Sequence, residues 1–168
     1  MKRILAAMLV VILAFSSVIL LSSCAAKPEM DLEKAKDNLE DEDYSVNYSD
    51  EDNETGIEEY LSASKTKGDD YDYVRIIKFS DAKLAKLEYK GLKQDRDTYK
   101  KEIKLELEKY EYMLSKYDDE LTSEEEDYIK EEIKELEKEL EEYDDYVIGR
   151  SGKTVWYGTK AAIEASKG

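Results

Sequence analysis

Hydrophobic residues follow three different patterns along this chain. From Ile4 to Leu21 they form a nearly continuous run, which is interrupted only by two adjacent serines. Between about 44 and 79 they alternate with polar residues, which is typical of strands with one buried face. From about 93 to 145 they recur every three or four residues, which indicates long amphipathic helices. The chain therefore predicts an apolar leader, a β-rich region and a long helical region.

Period-two alternation predicts the first strands. Tyr44, Val46 and Tyr48 alternate with serine and asparagine. The segment from Ile57 to Ala63 alternates less clearly, and its first residues would also fit one helical turn. The segment 71–79 is rich in tyrosine, valine and isoleucine, so it is the strongest strand candidate in the chain.

Elements are also predicted at both ends of the region after the leader. Three apolar residues at i, i+3 and i+7 spacing predict a helix over about 29–41. Near the C-terminus, strands are predicted at 146–149 and 153–157, joined by a glycine turn, and a short helix closes the chain at 161–165.

Two heptad seams dominate the helical region. Apolar residues spaced alternately by four and three positions form each seam, and a Ser123–Glu126 pair between the seams fits a capping box. The seams are most simply an antiparallel coiled-coil helical hairpin inserted at about 93–145, while a single straight helix that dimerises in parallel is the alternative. The seam residues are Ile103, Leu107, Tyr110, Leu114, Tyr117 and Leu121, then Ile129, Ile133, Leu136, Leu140 and Tyr143.

The leader carries a recognisable motif. Lys2 and Arg3 form a short positive segment before the apolar run, as in a secretory signal. The tetrad Leu21-Ser22-Ser23-Cys24 then resembles the lipobox of bacterial lipoprotein precursors. This resemblance implies that a diacylglyceryl thioether forms on Cys24 and that the signal is cleaved just before it. It also implies a lipid-anchored protein on the extracytoplasmic face of the cell membrane.

Three alternatives to lipidation stay open at this point. They are an uncleaved transmembrane anchor, ordinary cleavage after Ala25 and Ala26, and a buried hydrophobic helix. Two segments after the leader, Ala35-Lys36-Asp37-Asn38-Leu39-Glu40 and Trp156-Tyr157-Gly158-Thr159-Lys160-Ala161, resemble pieces of small uncharacterised lipoproteins of low-GC Gram-positive bacteria. They imply no known activity.

The predicted architecture is α+β. It has a small antiparallel sheet with helices on one face, and the coiled-coil hairpin projects from it as an insertion. The chain divides into a lipoprotein signal peptide at 1–23, a lipidated tether at 24–29 and a single α+β domain at 30–168.

Charge and residue usage exclude several functions. Removing the signal peptide takes two cations and no acid, so the formal net charge changes from −16 to −18. Such a chain repels nucleic acid, which is therefore not an expected partner. The chain has no histidine and one cysteine, so Ser-His-Asp and Cys-His catalysis and the usual zinc sites are not expected, nor is any cofactor. The acidic segment 50–54 does not fit an EF-hand, but weak calcium binding there stays open.

Tyrosine is the one unusual source of candidate chemistry, with 14 residues in the chain. Half-buried strand faces explain many of them, and an aromatic platform for a glycan or peptide is the functional alternative. The residues of that possible platform are Trp156, Tyr157, Tyr71 and Tyr73.

The sequence therefore predicts a non-enzymatic interaction module, whose helical hairpin contacts another envelope protein. Two other functions stay open. One is a cell-wall glycan or peptide binding module that uses an aromatic sheet face. The other is a glycoside hydrolase of the wall that uses paired carboxylates.

Overall fold

The computed structural model of the chain describes residues 26–50, 55–68, 70–117 and 120–168. The predicted signal peptide at 1–23 and the lipidation residue Cys24 lie outside these ranges. None of the described helices is both long enough and apolar enough to cross a membrane. In chain order the elements are α1 (Leu32–Asp41), β1 (Ser45–Ser49), β2 (Ile57–Lys67), β3 (Asp70–Phe79), α2 (Ala82–Tyr117), α3 (Ser123–Asp144), β4 (Tyr146–Ser151), β5 (Thr154–Thr159) and α4 (Lys160–Ala165).

The five strands form one antiparallel sheet in the order β1-β2-β3-β5-β4. This confirms the predicted α+β class and the antiparallel sheet. The ambiguous segment that begins at Ile57 is a strand of eleven residues, and it pairs with β3 along most of its length. The last two strands are exchanged in space, because β5 lies between β3 and β4. The start of β3 and the start of β4 therefore lie at the same end of the sheet.

Helices cover both faces of the sheet, so the prediction of helices on one face is wrong. On one face, Ile76 of β3 packs with Leu39 of α1 and Ile163 of α4. On the other face, Ile77 of β3 packs with Ala85 of α2. Successive strand residues point to opposite faces, so two adjacent buried isoleucines need a cover on each side.

Helix α2 is continuous over 36 residues. Its first third packs on the sheet through Ala85, with Tyr89 and Leu92 beside it, and the helix then continues without interruption. The backbone therefore shows no boundary at residue 93, where the insertion was predicted to begin.

Helix α3 begins one residue earlier than the predicted capping box implies. Thr122 is the N-cap, and its hydroxyl oxygen accepts a hydrogen bond from the Glu125 backbone N–H at 3.4 Å. The Glu125 carboxylate accepts in return from the Thr122 backbone N–H at 2.9 Å. The capping box is Thr122–Glu125 rather than Ser123–Glu126, because Thr122 is the residue with extended backbone.

The N-terminal segment lies against the domain. The indole Nε1 of Trp156 donates a hydrogen bond to the Ala26 carbonyl at 3.0 Å, and Pro28 is buried. Met30 also packs against the core beneath α1 and α4. The described part of the predicted 24–29 tether is therefore held on the fold, at the sheet face opposite α2.

Candidate functional site

A cleft of about 700 Å³ lies where the end of the sheet meets α2 and α3. Strand β3 forms one wall, the middle of α2 forms the second, and the C-terminal end of α3 with the start of β4 forms the third. We call it the tyrosine cleft. Its lining residues are Asp70, Tyr71, Asp72, Tyr73, Leu92, Asp95, Arg96, Tyr99, Glu142, Tyr143, Asp145, Tyr146 and Thr159.

Five tyrosine rings form a continuous row along this cleft. From Tyr71 to Tyr73 to Tyr146 to Tyr143 to Tyr99, the successive ring centroids are 5.9, 5.7, 6.2 and 4.8 Å apart. These separations are in the range of favourable aromatic pairs. The row therefore joins two strands and two helices into one aromatic wall.

Local structure explains how the rings meet. Tyr71 and Tyr73 are two positions apart on β3 and so share a face of the sheet. Tyr146 opens β4 and pairs with Thr159 of β5, the strand that lies between β4 and β3. Tyr99 is held beside α3 because its hydroxyl donates a hydrogen bond to Glu139 at 2.8 Å.

The row remains accessible to solvent at both ends. The exposed fraction of Tyr71 is 60% and that of Tyr99 is 40%. Between them, Tyr73, Tyr143 and Tyr146 are half-buried. A ligand can therefore contact ring faces along the cleft without a rearrangement of the core.

Carboxylates dominate the charge of the cleft. Five acids and one arginine are among its lining residues, and three of the acids, Asp95, Glu142 and Asp145, belong to the helical walls. Asp72 alternates with Tyr71 and Tyr73, so its carboxylate lies on the other sheet face, where its Oδ1 accepts a hydrogen bond from the Thr159 hydroxyl at 2.8 Å. The Arg96 guanidinium is 3.2 Å from the carboxylate of Asp97. The site is thus an aromatic surface bordered by negative charge.

Tyr73 and Tyr146, at the centre of the row, carry no charge at neutral pH. Burial raises the pKa of Tyr73 above its ordinary value near 10. Burial also raises the pKa of Tyr146, and a hydrogen bond with Tyr73 raises it further. Their hydroxyls stay protonated as hydrogen-bonding groups, so the negative charge of the cleft belongs to its carboxylates.

These pKa shifts predict weaker folding in alkali. Buried tyrosinate is disfavoured in the folded state, whereas an unfolded tyrosine ionises near pH 10. The stabilising contribution is therefore complete below about pH 10 and is lost as pH rises through the raised folded pKa. We expect Tyr146→Phe, which keeps the ring and removes its ionisation, to lose less stability between about pH 9 and 11 than the wild type. Urea unfolding followed by circular dichroism measures this, and equal losses would contradict it.

The predicted platform residues do not all meet. Tyr71 and Tyr73 line the cleft. Tyr157 lies beside it, with its ring centroid 6.2 Å from that of Tyr146 and its hydroxyl accepting from Arg75 at 2.7 Å. Trp156 is 4% exposed and belongs to the core on the other sheet face. Its inclusion was wrong, because neighbouring strand residues point to opposite faces.

Three cleft residues were missed as members of the site. Tyr99 lies outside both heptad seams, Tyr143 was assigned to the seam, and Tyr146 was read only as the start of a strand. Each is separated by 25 or more residues from Tyr73 in the chain. The tyrosine-rich composition was a signal for an aromatic site, but no local pattern indicates which rings converge.

The cleft has no counterpart that can be assigned by similarity. Comparison of the chain with protein-family models, curated proteins and solved structures finds no match. Within the described ranges, no three potential metal-ligating side chains cluster closely enough to hold an ion. Most of the acidic segment 50–54 lies outside those ranges.

Proposed function

We propose that this chain is a lipid-anchored extracytoplasmic binding protein that holds a small ligand in the tyrosine cleft. The observation that carries the proposal is the cleft of about 700 Å³ with its row of five tyrosine rings. Its volume is within the range of small-molecule sites, and aromatic faces are typical linings of such sites. A fragment of the cell wall, either glycan or peptide, is the class of ligand that fits an envelope location.

The lipobox-like tetrad and Cys24 support the anchoring part of the proposal. Ala26 is hydrogen-bonded to Trp156, so only one residue separates Cys24 from a residue held on the domain. Two Cα–Cα steps span at most roughly 8 Å. A lipid on Cys24 would therefore keep the domain close to the bilayer. Because Ala26 packs on the sheet face opposite α2, we infer that the tyrosine cleft is turned away from the bilayer.

Substitution of the two exposed cleft tyrosines tests ligand capture. We expect Tyr71→Ala with Tyr99→Ala to weaken binding of soluble wall fragments roughly tenfold or more, because each ring contact contributes about 1 kcal/mol. Calorimetry on the full-length protein in neutral detergent micelles measures the affinity. The control variant carries Tyr112→Ala and Tyr128→Ala, which are 52% and 57% exposed and lie outside the cleft. Equal affinities of the two variants would contradict the proposed site.

Replacement of the proposed lipid acceptor tests the anchor. We expect Cys24→Ser to abolish incorporation of a labelled fatty acid and to leave the signal peptide uncleaved, because the thioether cannot form on a hydroxyl. Ser22→Ala is the matched control, since it keeps a small residue before the cysteine. Fatty-acid labelling and mass measurement in a bacterial host provide the readout, and a labelled Cys24→Ser protein would overturn the anchor.

A second candidate function is contact with another envelope protein through α2 and α3, which we propose to pair as an antiparallel coiled-coil hairpin. Supporting contacts are the Tyr99–Glu139 hydrogen bond and a Lys100–Asp144 ion pair. Ile103 and Ile129 are buried at predicted seam positions. The contacts of Tyr99 and Lys100 join the middle of α2 to the C-terminal part of α3, as an antiparallel pair requires.

Exposed apolar side chains on the helices favour this second function. Leu105, Tyr112 and Tyr128 are all exposed, and none of them lines the cleft. We expect Tyr112→Ala with Tyr128→Ala to lose a crosslinked partner in intact cells, while Tyr71→Ala, which changes no residue of α2 or α3, retains it. These variants therefore separate the two functions.

We propose no catalytic role for the cleft carboxylates. Release of soluble products from isolated cell walls by the purified protein would overturn this part of the proposal. Carboxylate-based glycoside cleavage would then replace simple binding as the function.

A further inference from the structure

We propose that the tyrosine cleft selects organic cations with two or more primary ammonium groups, of the linear polyamine class. This inference rests on the proposed function, in which the cleft is the ligand site. It is carried by the combination of a cavity, a row of ring faces and carboxylates on the two helical walls of the cleft.

The carboxylates come from separate elements. Asp95 lies on α2, and Glu142 and Asp145 lie at the C-terminal end of α3. Asp70 and Asp72 alternate with Tyr71 and Tyr73 on β3, so their carboxylates belong to the other sheet face. Within the described ranges no three of the acids converge as a metal-ion cluster. Dispersed carboxylates favour a ligand whose positive charges are spaced along a chain over one compact ion.

The end of α3 adds to the negative potential. A helix C-terminus carries partial negative charge from its unpaired carbonyls and normally attracts basic side chains. The last turn of α3 contains no basic residue. It carries Glu142, and Asp145 follows as the C-cap. Acids at this helix end oppose its dipole, and a bound cation would relieve that opposition.

Nearby cations of the chain offset only part of this charge. The one cation that lines the cleft, among the described residues, is Arg96, and its guanidinium contacts Asp97. Lys138 pairs with Glu142 at 3.6 Å, and Lys100 is engaged by Asp144 at the end of α3. The carboxylates of Asp95 and Asp145, on the two helical walls of the cleft, are therefore the partners for a cationic ligand.

The ring faces distinguish organic ammonium groups from inorganic ions. Tyrosine faces attract ammonium groups electrostatically and also contact the methylenes between them. The hydroxyls of Tyr73 and Tyr146 remain neutral, so the rings do not become fixed anions. A strongly hydrated divalent cation gains little from such a surface, because it prefers clustered oxygen ligands.

Spermidine is the probe for the test, with the full-length protein in neutral detergent micelles. We expect saturable binding at low salt that weakens as salt is added, since the carboxylates are close to solvent. Asp95→Asn with Asp145→Asn should weaken spermidine binding roughly tenfold or more, because two of the ammonium partners are lost. Magnesium at equal ionic strength should compete no better than sodium.

The matched control removes the same amount of negative charge at a surface outside the cleft. Asp127→Asn with Glu131→Gln removes two exposed acids from α3 outside the cleft, and we expect its spermidine affinity to stay within about twofold of the wild type. Thermal unfolding of both variants verifies that they are folded. Equal weakening by the two variants would overturn a cleft-specific site, as would stoichiometric displacement by magnesium.

Neutral and cationic probes distinguish the two proposals. If acetylated wall fragments bind in the cleft and spermidine does not, cation selection is wrong and the proposed binding function stands. If both spermidine and wall fragments fail to show any dependence on Tyr71 and Tyr99, both proposals fail. Spermidine binding that depends on the rings and on the cleft acids supports both.

Discussion

Replacing Trp156 with alanine is expected to lower the free energy of unfolding by about 4 kcal/mol. The indole is 4% exposed and packs in the core between the sheet and the helices α1 and α4. Its ring also fills the space above Gly149, where an added Cβ would lie 2.2 Å from Trp156 Cε2. Truncation leaves a large cavity and removes the hydrogen bond to Ala26. For a domain of this size, 4 kcal/mol is a large part of the roughly 5–15 kcal/mol total.

Urea unfolding followed by far-ultraviolet circular dichroism measures this loss without relying on tryptophan fluorescence. Tyr71→Ala is the control, because Tyr71 is largely exposed on the other sheet face and should change stability by only about 0.5 kcal/mol. A loss below about 1 kcal/mol for Trp156→Ala would contradict its placement in the core. The result also decides how its fluorescence is read, since a core tryptophan reports folding rather than ligand contact.

Gly158→Ala is expected to have the second large effect, lowering the free energy of unfolding by about 3 kcal/mol. Gly158 has a φ of +152°, and an added Cβ would lie 2.1 Å from the Tyr73 carbonyl oxygen and 2.7 Å from Val74 Cα. Both obstructing atoms belong to the backbone of β3, so a side-chain rotation cannot relieve the clash. Strands β3 and β5 would have to separate, and Tyr73 would move with them. We therefore expect ligand capture in the tyrosine cleft to weaken as well.

Gly91→Ala is the matched control for that substitution. Gly91 lies within α2, and no atom lies within 4 Å of the position of an added Cβ. Alanine should stabilise the helix by about 0.8 kcal/mol, because glycine loses more backbone entropy on folding. Thermal and urea unfolding of the two variants should thus move in opposite directions. A destabilised Gly91→Ala protein, or a Gly158→Ala protein of wild-type stability, would contradict this account.

Local sequence patterns were sufficient to predict most of the secondary structure. Alternation at Tyr44, Val46 and Tyr48 corresponds to β1, and the tyrosine- and valine-rich segment corresponds to β3. These predictions succeeded because one buried face imposes a period of two on a strand. The alternation at Ile57 was weak, and only pairing with β3 along its length makes that segment a clear strand.

Those local patterns could not predict which faces of the sheet the helices cover. Helices were expected on one face, yet Ile76 and Ile77 are both buried, each beneath a different helical layer. Two adjacent apolar residues in β3 were a signal of burial on both faces. Trp156 and Tyr157 were grouped as neighbours in sequence, although strand geometry sends them to opposite sides.

Composition and local pattern follow directly from the sequence. They include the lipobox-like tetrad that ends in Cys24, the acidic net charge, the absence of histidine, and the periods that define strands and helices. The tertiary structure alone decided which tyrosines meet. The ring centroids of Tyr73 and Tyr146 come within 5.7 Å because β5 lies between β3 and β4 and brings the starts of those two strands to the same end of the sheet. Strand order results from packing of the whole sheet, and no local period of the sequence carries it.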